Sequence, residues 1–185
     1  MVRATSAART VEVVPATEVD VPRAVALANA AFGVHELVTQ PRTSVDLFPE
    51  ECPPGARLLI VSEGEAMIGM AMIVTAHVEM FGFSEKVAQH VSNLGYPGKT
   101  DLYFGIASVH PSGQGKGVGR ALLRRTEEVA AQEGFDRVVL TTVRELGSVE
   151  YYERGGYTVV ASEIFAPGHY SIPVPHESCL MVKSL

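Results

Sequence analysis

The sequence predicts an α/β fold, with a central mixed, mostly antiparallel sheet of about six to seven strands flanked by helices. Three observations predict it. An apolar run from Leu102 to Val109, a helical pattern from Val118 to Glu133 and a second apolar run from Arg137 to Thr142 form a strand–helix–strand unit. Such a unit is expected to be parallel and right-handed. Arg57 to Ser62 and Ala66 to Ala76 are two apolar runs joined by Glu63-Gly64-Glu65, a hairpin signal. Tyr157 to Val160 and Ser178 to Lys183 supply the last strands.

Taken in order, residues 1–10 carry basic residues without an apolar core and read as a disordered tail, not a signal peptide. Val11 to Val14 is a short first strand ended by Pro15. Asp20 is placed to cap a helix whose Val21, Val25, Ala28 and Phe32 share one face, and Gly33 ends it. Residues 34–56 are proline-rich and irregular, with a short helix near Thr43 to Phe48. A helical insertion lies within residues 77–100. There Ser84 is the expected cap, Val87, Val91 and Leu94 form the apolar side, and Gly95 closes the helix. It is expected to be a surface helix packed on the sheet. In the long helix, Val118, Ala121, Leu122, Val129 and Ala130 form the buried stripe, while Arg124, Glu127, Glu128 and Gln132 face out. Gly134 stops it. The Val-Val-Leu run that follows suits a strand buried on both faces. A short helix, Val149 to Arg154, is bounded by Ser148 and by Gly155-Gly156. Residues 11–185 therefore form one domain, and 185 residues are enough for a real core.

Composition narrows the function. The chain is 46% hydrophobic and 19% charged, with a formal charge of −6. That balance is globular and argues against a general nucleic-acid binder, which shows a basic face. No stretch approaches the length of a membrane span. Cys52 and Cys179 make neither a disulfide framework nor a metal-ligand spacing, and the six histidines are scattered. No metal and a cytoplasmic setting are expected.

The most informative segment is Val109-His110-Pro111-Ser112-Gly113-Gln114-Gly115-Lys116-Gly117-Val118-Gly119-Arg120. A glycine turn at a helix start presents bare N–H groups in one direction, and the helix dipole adds positive potential. Lys116 and Arg120 add formal charge at that point, and Arg124 and Arg125 follow. The ligand class is a phosphate or pyrophosphate. A P-loop would need a Ser or Thr after its lysine, but Gly117 follows Lys116. A dinucleotide fingerprint fails from either start, because its third glycine would fall on Arg120 or Leu122.

What remains is Q-x-x-G-x-G from Gln114 to Gly119, preceded by V-x-P. This resembles the acyl-CoA-binding motif of the GNAT superfamily of N-acetyltransferases, and the likeness covers roughly residues 10 to 185. A second segment, Ser148-Val149-Glu150-Tyr151-Tyr152-Glu153-Arg154-Gly155-Gly156-Tyr157, resembles the family's short helix ending in Tyr-x-x-x-Gly-aromatic. The resemblance implies acetyl-CoA as co-substrate and an amine as acceptor, in a small molecule or a protein. It implies that Gln114, Gly115, Lys116, Gly117, Val118, Gly119 and Arg120 hold the cofactor, and that Ala107, Ser108 and Val109 line the pantetheine arm. Tyr152 falls on the tyrosine that protonates the departing thiolate, with Tyr151 as packing. Direct attack in a ternary complex needs no covalent acyl-enzyme. A non-catalytic acyl-CoA-binding module is the alternative, and a homodimer is left open.

One position departs from the family pattern. Glu145 stands where many members carry an asparagine that contacts the cofactor. Glu145, Asp101, Glu79 and His35 are candidate bases, none of them singled out, and a water relay serves equally. The acceptor is expected to be chosen by residues 33–56, residues 77–100 and the turn at Gly168-His169-Tyr170. Phe32, His35, Tyr103 and Tyr170 are candidate walls of its pocket.

Overall fold

The computed structural model describes residues 11–33, 55–77, 82–98, 100–169 and 172–185. The elements are β1 (Val14–Pro15), a 3-10 turn (Glu18–Asp20), α1 (Val21–Gly33), β2 (Arg57–Glu63), β3 (Ala66–Thr75), α2 (Glu85–Asn93) and β4 (Asp101–Val109). A second 3-10 turn (Pro111–Gly113) leads to α3 (Val118–Glu133) and β5 (Arg137–Val143). A third (Arg144–Leu146) precedes α4 (Val149–Glu153), β6 (Thr158–Phe165) and β7 (His176–Ser184). The seven strands make one sheet in the order β1-β2-β3-β4-β5-β7-β6. Only β4 and β5 run parallel; the other pairs are antiparallel. This is the mixed, mostly antiparallel sheet that the sequence predicts.

The parallel pairing is short. It joins Asp101, Leu102 and Tyr103 to Arg137, Val138 and Val139, and there it ends. β5 continues along β7 as far as Val143 opposite Ser178, while β4 continues along β3 to Val109 opposite Gly69. The two strands therefore part, and the β5-facing edge of β4 from Phe104 onward has no ladder partner there. A bulge accompanies the parting. Met72 lies opposite Gly105 and Met70 opposite Ser108, so β4 has one residue more than β3 across this interval. Bulges bend a strand and raise its twist. Ile106, inside the bulge, has φ 47°, a strained value for a β-branched residue.

Both faces of the sheet are covered. α3 packs Val118, Leu122, Val129 and Ala130 on Val61, Ile68, Ile73, Leu102 and Phe104. On the other face, α1 contributes Ala24, Leu27 and Ala28, and α2 contributes Val91. Gly69 seats α3, since a Cβ there would lie 2.3 Å from Val118 Cγ1. Strand glycines of this kind mark a close approach. Gly69→Ala is expected to cost about 1–3 kcal/mol through overpacking, read as a lower urea midpoint at unchanged m-value.

Several local expectations are corrected. Asp20 does not cap forward; its carboxylate reaches back over the 3-10 turn and accepts hydrogen bonds from Thr17 N and Oγ1. Ser84 and Ser148 make no side-chain cap. Ser148 Oγ instead pairs with Thr142 Oγ1, and the Ser84 N–H donates to Glu163. In α3, Leu123 and Thr126 join the buried set, with Thr126 Oγ1 donating back to Leu122 O, and Ala121 is only half-buried. Glu127 does not face out: Tyr157 Oη donates to it at 3.2 Å and Lys183 Nζ lies 2.9 Å away. Leu94 is 48% exposed. β1 is shorter than expected and includes Pro15, which an edge strand tolerates. β6 runs on to Phe165 past polar Ser162 and Glu163, because an edge strand keeps a wet side. No helix among the described residues is long and apolar enough to cross a membrane.

Candidate active site

β4 runs into the 3-10 turn, and the turn runs into α3. His110 Nδ1 accepts from the Ser112 N–H and holds the entry. Gly113 is a glycine that the motif reading missed: a Cβ there would lie 3.0 Å from Ile68 O, so the turn lies hard against β3. Gly115 and Gly117 have φ 72° and 80°, left-handed values that glycine adopts without strain. Gly117 is the N-cap of α3, and no side chain caps the helix start. Its first N–H groups are therefore available to an anion, as an uncapped helix end requires.

The basic residues divide. Lys116 Nζ lies 2.7 Å from Glu63 Oε2 at the end of β2, in a pair that is about half exposed. Such a pair is weak and exchangeable. Arg120 is exposed and makes no ion pair among the described residues. Beside it runs a groove of about 540 Å³ between Val11 and Val13 and the outer side of α3, where Gly117, Arg120, Arg124, Arg125 and Glu128 line it. Glu128 pairs with Arg124 at 3.0 Å and Arg125 at 3.5 Å. Three arginines against one glutamate leave the groove positive.

Along β4, Ala107 and Val109 pack toward the α3-side core, and Ser108 is 4% exposed. The main-chain edge of these residues is what borders the gap between β4 and β5. Tyr103 closes the narrow end of that gap. It is buried in the opposite core, and its hydroxyl lies 2.8 Å from Thr141 Oγ1 on β5. Tyr103 therefore packs in the sheet and does not stand as an open pocket wall.

Tyr152 lies on α4 with its ring edge-on to Tyr151 (centroids 5.2 Å) and to Tyr157 (6.0 Å). Burial pushes its hydroxyl pKa far up, and the neighbouring hydroxyls of Tyr151 and Tyr103 add to the shift. It keeps its proton at any ordinary pH, and Tyr103 as a neighbour places it where β4 and β5 part.

Two candidate bases are otherwise engaged. Glu145 turns both carboxylate oxygens to the Glu177 N–H at 3.1 Å, and Arg144 Nε lies 2.6 Å from Glu177 Oε2. These bonds brace the Arg144–Leu146 turn on β7. Asp101 is fully buried at the start of β4, bound to Arg137 at 2.6 Å and to the Gly98 N–H at 2.7 Å. The glycine turn follows the other end of that strand. His169 packs on Phe165 at 4.0 Å. His35, Glu79, Tyr170, Cys52, the segments 1–10 and 43–48 and the Phe32 side chain lie outside the described residues. Among the described residues, no group of three His, Cys, Asp or Glu side chains is arranged to hold a metal.

A model of the acetyltransferase (GNAT) family matches residues 22–157, which span the glycine turn, the parted strands and α4. The chain belongs to that family. This GNAT chain is also 37% identical over 78 residues to the uncharacterized N-acetyltransferase YjhQ of Escherichia coli (strain K12). That match takes in 42% of the chain and spans about two-fifths (40%) of the relative's length. Among solved structures, the GNAT sheet superposes on the ribosomal-protein-S18-alanine N-acetyltransferase of Escherichia coli with TM-score 0.68 and 13% identity, over 95% of this chain and 94% of that one. It superposes on yncA, a putative acetyltransferase from Salmonella typhimurium solved with its cofactor acetyl-CoA, with TM-score 0.65 and 17% identity, over 95% and 94%. At these identities the likeness is one of fold.

Proposed function

We propose that the chain moves an acetyl group from acetyl-CoA to a primary amine by direct attack in a ternary complex. One observation carries this reading: the basic groove on α3 meets the uncapped N–H groups of the helix start at Gly117, and the turn before them follows directly on the edge of β4 that β5 leaves unpaired. That succession of a basic groove, free amides and an open strand edge suits coenzyme A. The nucleotide end takes the groove and the pyrophosphate takes the amides of Gly115 to Arg120, with Lys116 and Arg120 contributing charge. The pantetheine arm runs along Ala107, Ser108 and Val109 as an added strand edge.

The chemistry follows from what the thioester needs. Its carbonyl becomes an oxyanion, which a fixed main-chain N–H of the unpaired β4 edge can hold. The leaving thiolate needs a proton, which Tyr152 keeps available. A thiol has a reference pKa near 8.5 and a tyrosine near 10. Burial that raises the tyrosine also makes a thiolate in the same apolar site more basic, so the proton is shared as the C–S bond breaks. The amine loses its proton to water or to a water-relayed base.

The test is release of free coenzyme A thiol from acetyl-CoA across a panel of primary amines, with coenzyme A binding measured in parallel. Amine-dependent release supports the transferase. Tight coenzyme A binding with no amine-stimulated release would overturn it and leave a non-catalytic binding module.

A further inference from the structure

Tyr151 shares α4 with Tyr152 but directs its hydroxyl elsewhere. The oxygen is out of reach of solvent and has no hydrogen-bond partner. A buried tyrosine normally satisfies its O–H, and leaving one unpaired costs about 1–3 kcal/mol. Phenylalanine would fill the same space on the α3-side core without that cost. The groups around the hydroxyl explain why the protein offers no acceptor. Arg120, whose charge acts on it, carries only donors. Glu127, the other charged neighbour, already takes the Tyr157 hydroxyl and the Lys183 ammonium.

A second observation meets the first at one point. Gly119 lies in the first turn of α3 and is not among the glycines with positive φ, so its backbone does not demand glycine. Glycine inside a helix costs about 1 kcal/mol against alanine. A Cβ at residue 119 would lie 3.4 Å from the Tyr151 hydroxyl and 3.7 Å from Val109 Cγ2, ordinary contact distances that place the hydroxyl directly beside the first turn of α3 and the end of β4. The end of β4, the first turn of α3 and the unpaired hydroxyl thus converge where a ligand leaving the strand gap reaches the helix start.

We infer that Tyr151 is a positioning residue for the donor, its hydroxyl giving a hydrogen bond to coenzyme A where the pantetheine arm joins the pyrophosphate. This rests on the coenzyme A reading above. That junction is rich in acceptors (amide carbonyls, a hydroxyl and phosphate oxygens), the kind of group the surrounding side chains lack. Burial raises the Tyr151 pKa, which keeps the hydroxyl a donor. Arg120, exposed and able to turn, meets the adjoining negative charge. The paired tyrosines then divide the work, Tyr152 at the thioester and Tyr151 at the far end of the arm.

Tyr151→Phe and the wild type are compared by calorimetric titration of the ligand-free protein with coenzyme A, by thermal melting, and by steady-state kinetics with acetyl-CoA. Coenzyme A affinity is expected to fall about three- to tenfold, the worth of one hydrogen bond. The Tm of the ligand-free variant should hold or rise, because an unpaired buried group has been removed. The loss in kcat/KM should be carried by KM for acetyl-CoA. Equal coenzyme A affinities overturn the inference, as does a lower Tm with affinity unchanged, which would make the hydroxyl a structural group. If the wild type fails to bind coenzyme A, the donor reading itself has failed, and the titration separates that result from the other two.

Discussion

Tyr152→Phe is expected to lower kcat about 100-fold, at the low end of what general acid–base catalysis contributes, with coenzyme A affinity nearly unchanged. The substitution keeps both edge-on aromatic contacts, to Tyr151 and Tyr157, so the fold around α4 stays. On the proposed mechanism, what is lost is the proton given to the leaving sulfur. The sign of the pH effect follows from the raised pKa. A group whose pKa moves up keeps its proton as pH rises, so the wild type should show no alkaline loss of rate from Tyr152 through about pH 9. The rise of kcat/KM across neutral pH then reports deprotonation of the acceptor amine. A donor whose thiol is more acidic needs the acid less and should narrow the gap between variant and wild type. An unchanged kcat with acetyl-CoA would remove Tyr152 from the mechanism.

Asp101→Ala is expected to destabilise the protein by about 3 kcal/mol, the scale of breaking a buried ion pair and a sizeable part of a typical domain's stability. Its carboxylate is fully buried and takes Arg137 Nε at 2.6 Å and the Gly98 N–H at 2.7 Å. Arg137 in turn donates to Gly95 O and lies 4.5 Å over the Tyr96 ring. The pair therefore ties the segment after α2 to the only stretch where β4 and β5 are in register. Arg137 is 23% exposed, which keeps the figure at the lower end of the range. Urea unfolding should show a lower midpoint at the same m-value. The folded variant should keep the wild-type pH profile. A displaced profile with normal stability would restore Asp101 as a base.

The parts of the fold legible in the sequence were those whose signals are local. The Leu102–Val109 run, the glycines at 115, 117 and 134 and the α3 stripe each specify structure within a few residues. The gap between β4 and β5 was not legible. It depends on β7 taking the far edge of β5 and on a register difference between Met70 and Met72, both long-range events. Long-range partners also account for the misread side chains. Asp101 looks like a free acid until Arg137 folds beside it, and Glu145 until β7 brings the Glu177 N–H. Ser148 differs: its hydroxyl goes to Thr142, only six residues back, at the end of β5. Gly69 carries a local signal, since a lone glycine inside an apolar strand marks a close neighbour, here Val118 of α3.

The bulge at Ile106 makes the gap a matter of chain length more than of side-chain identity. β4 needs one surplus residue between Gly105 and Ser108, whatever that residue is. Replacing Ile106 by asparagine, which accepts positive φ more readily, should leave the strands parted and relieve strain. Deleting the residue would bring β4 back into step with β3. Ala107 and Val109 would keep their place on the α3 core, because Phe104 already faces it and plain alternation then reaches Ala107 and Val109; what would be lost is the bend with which β4 turns away from β5.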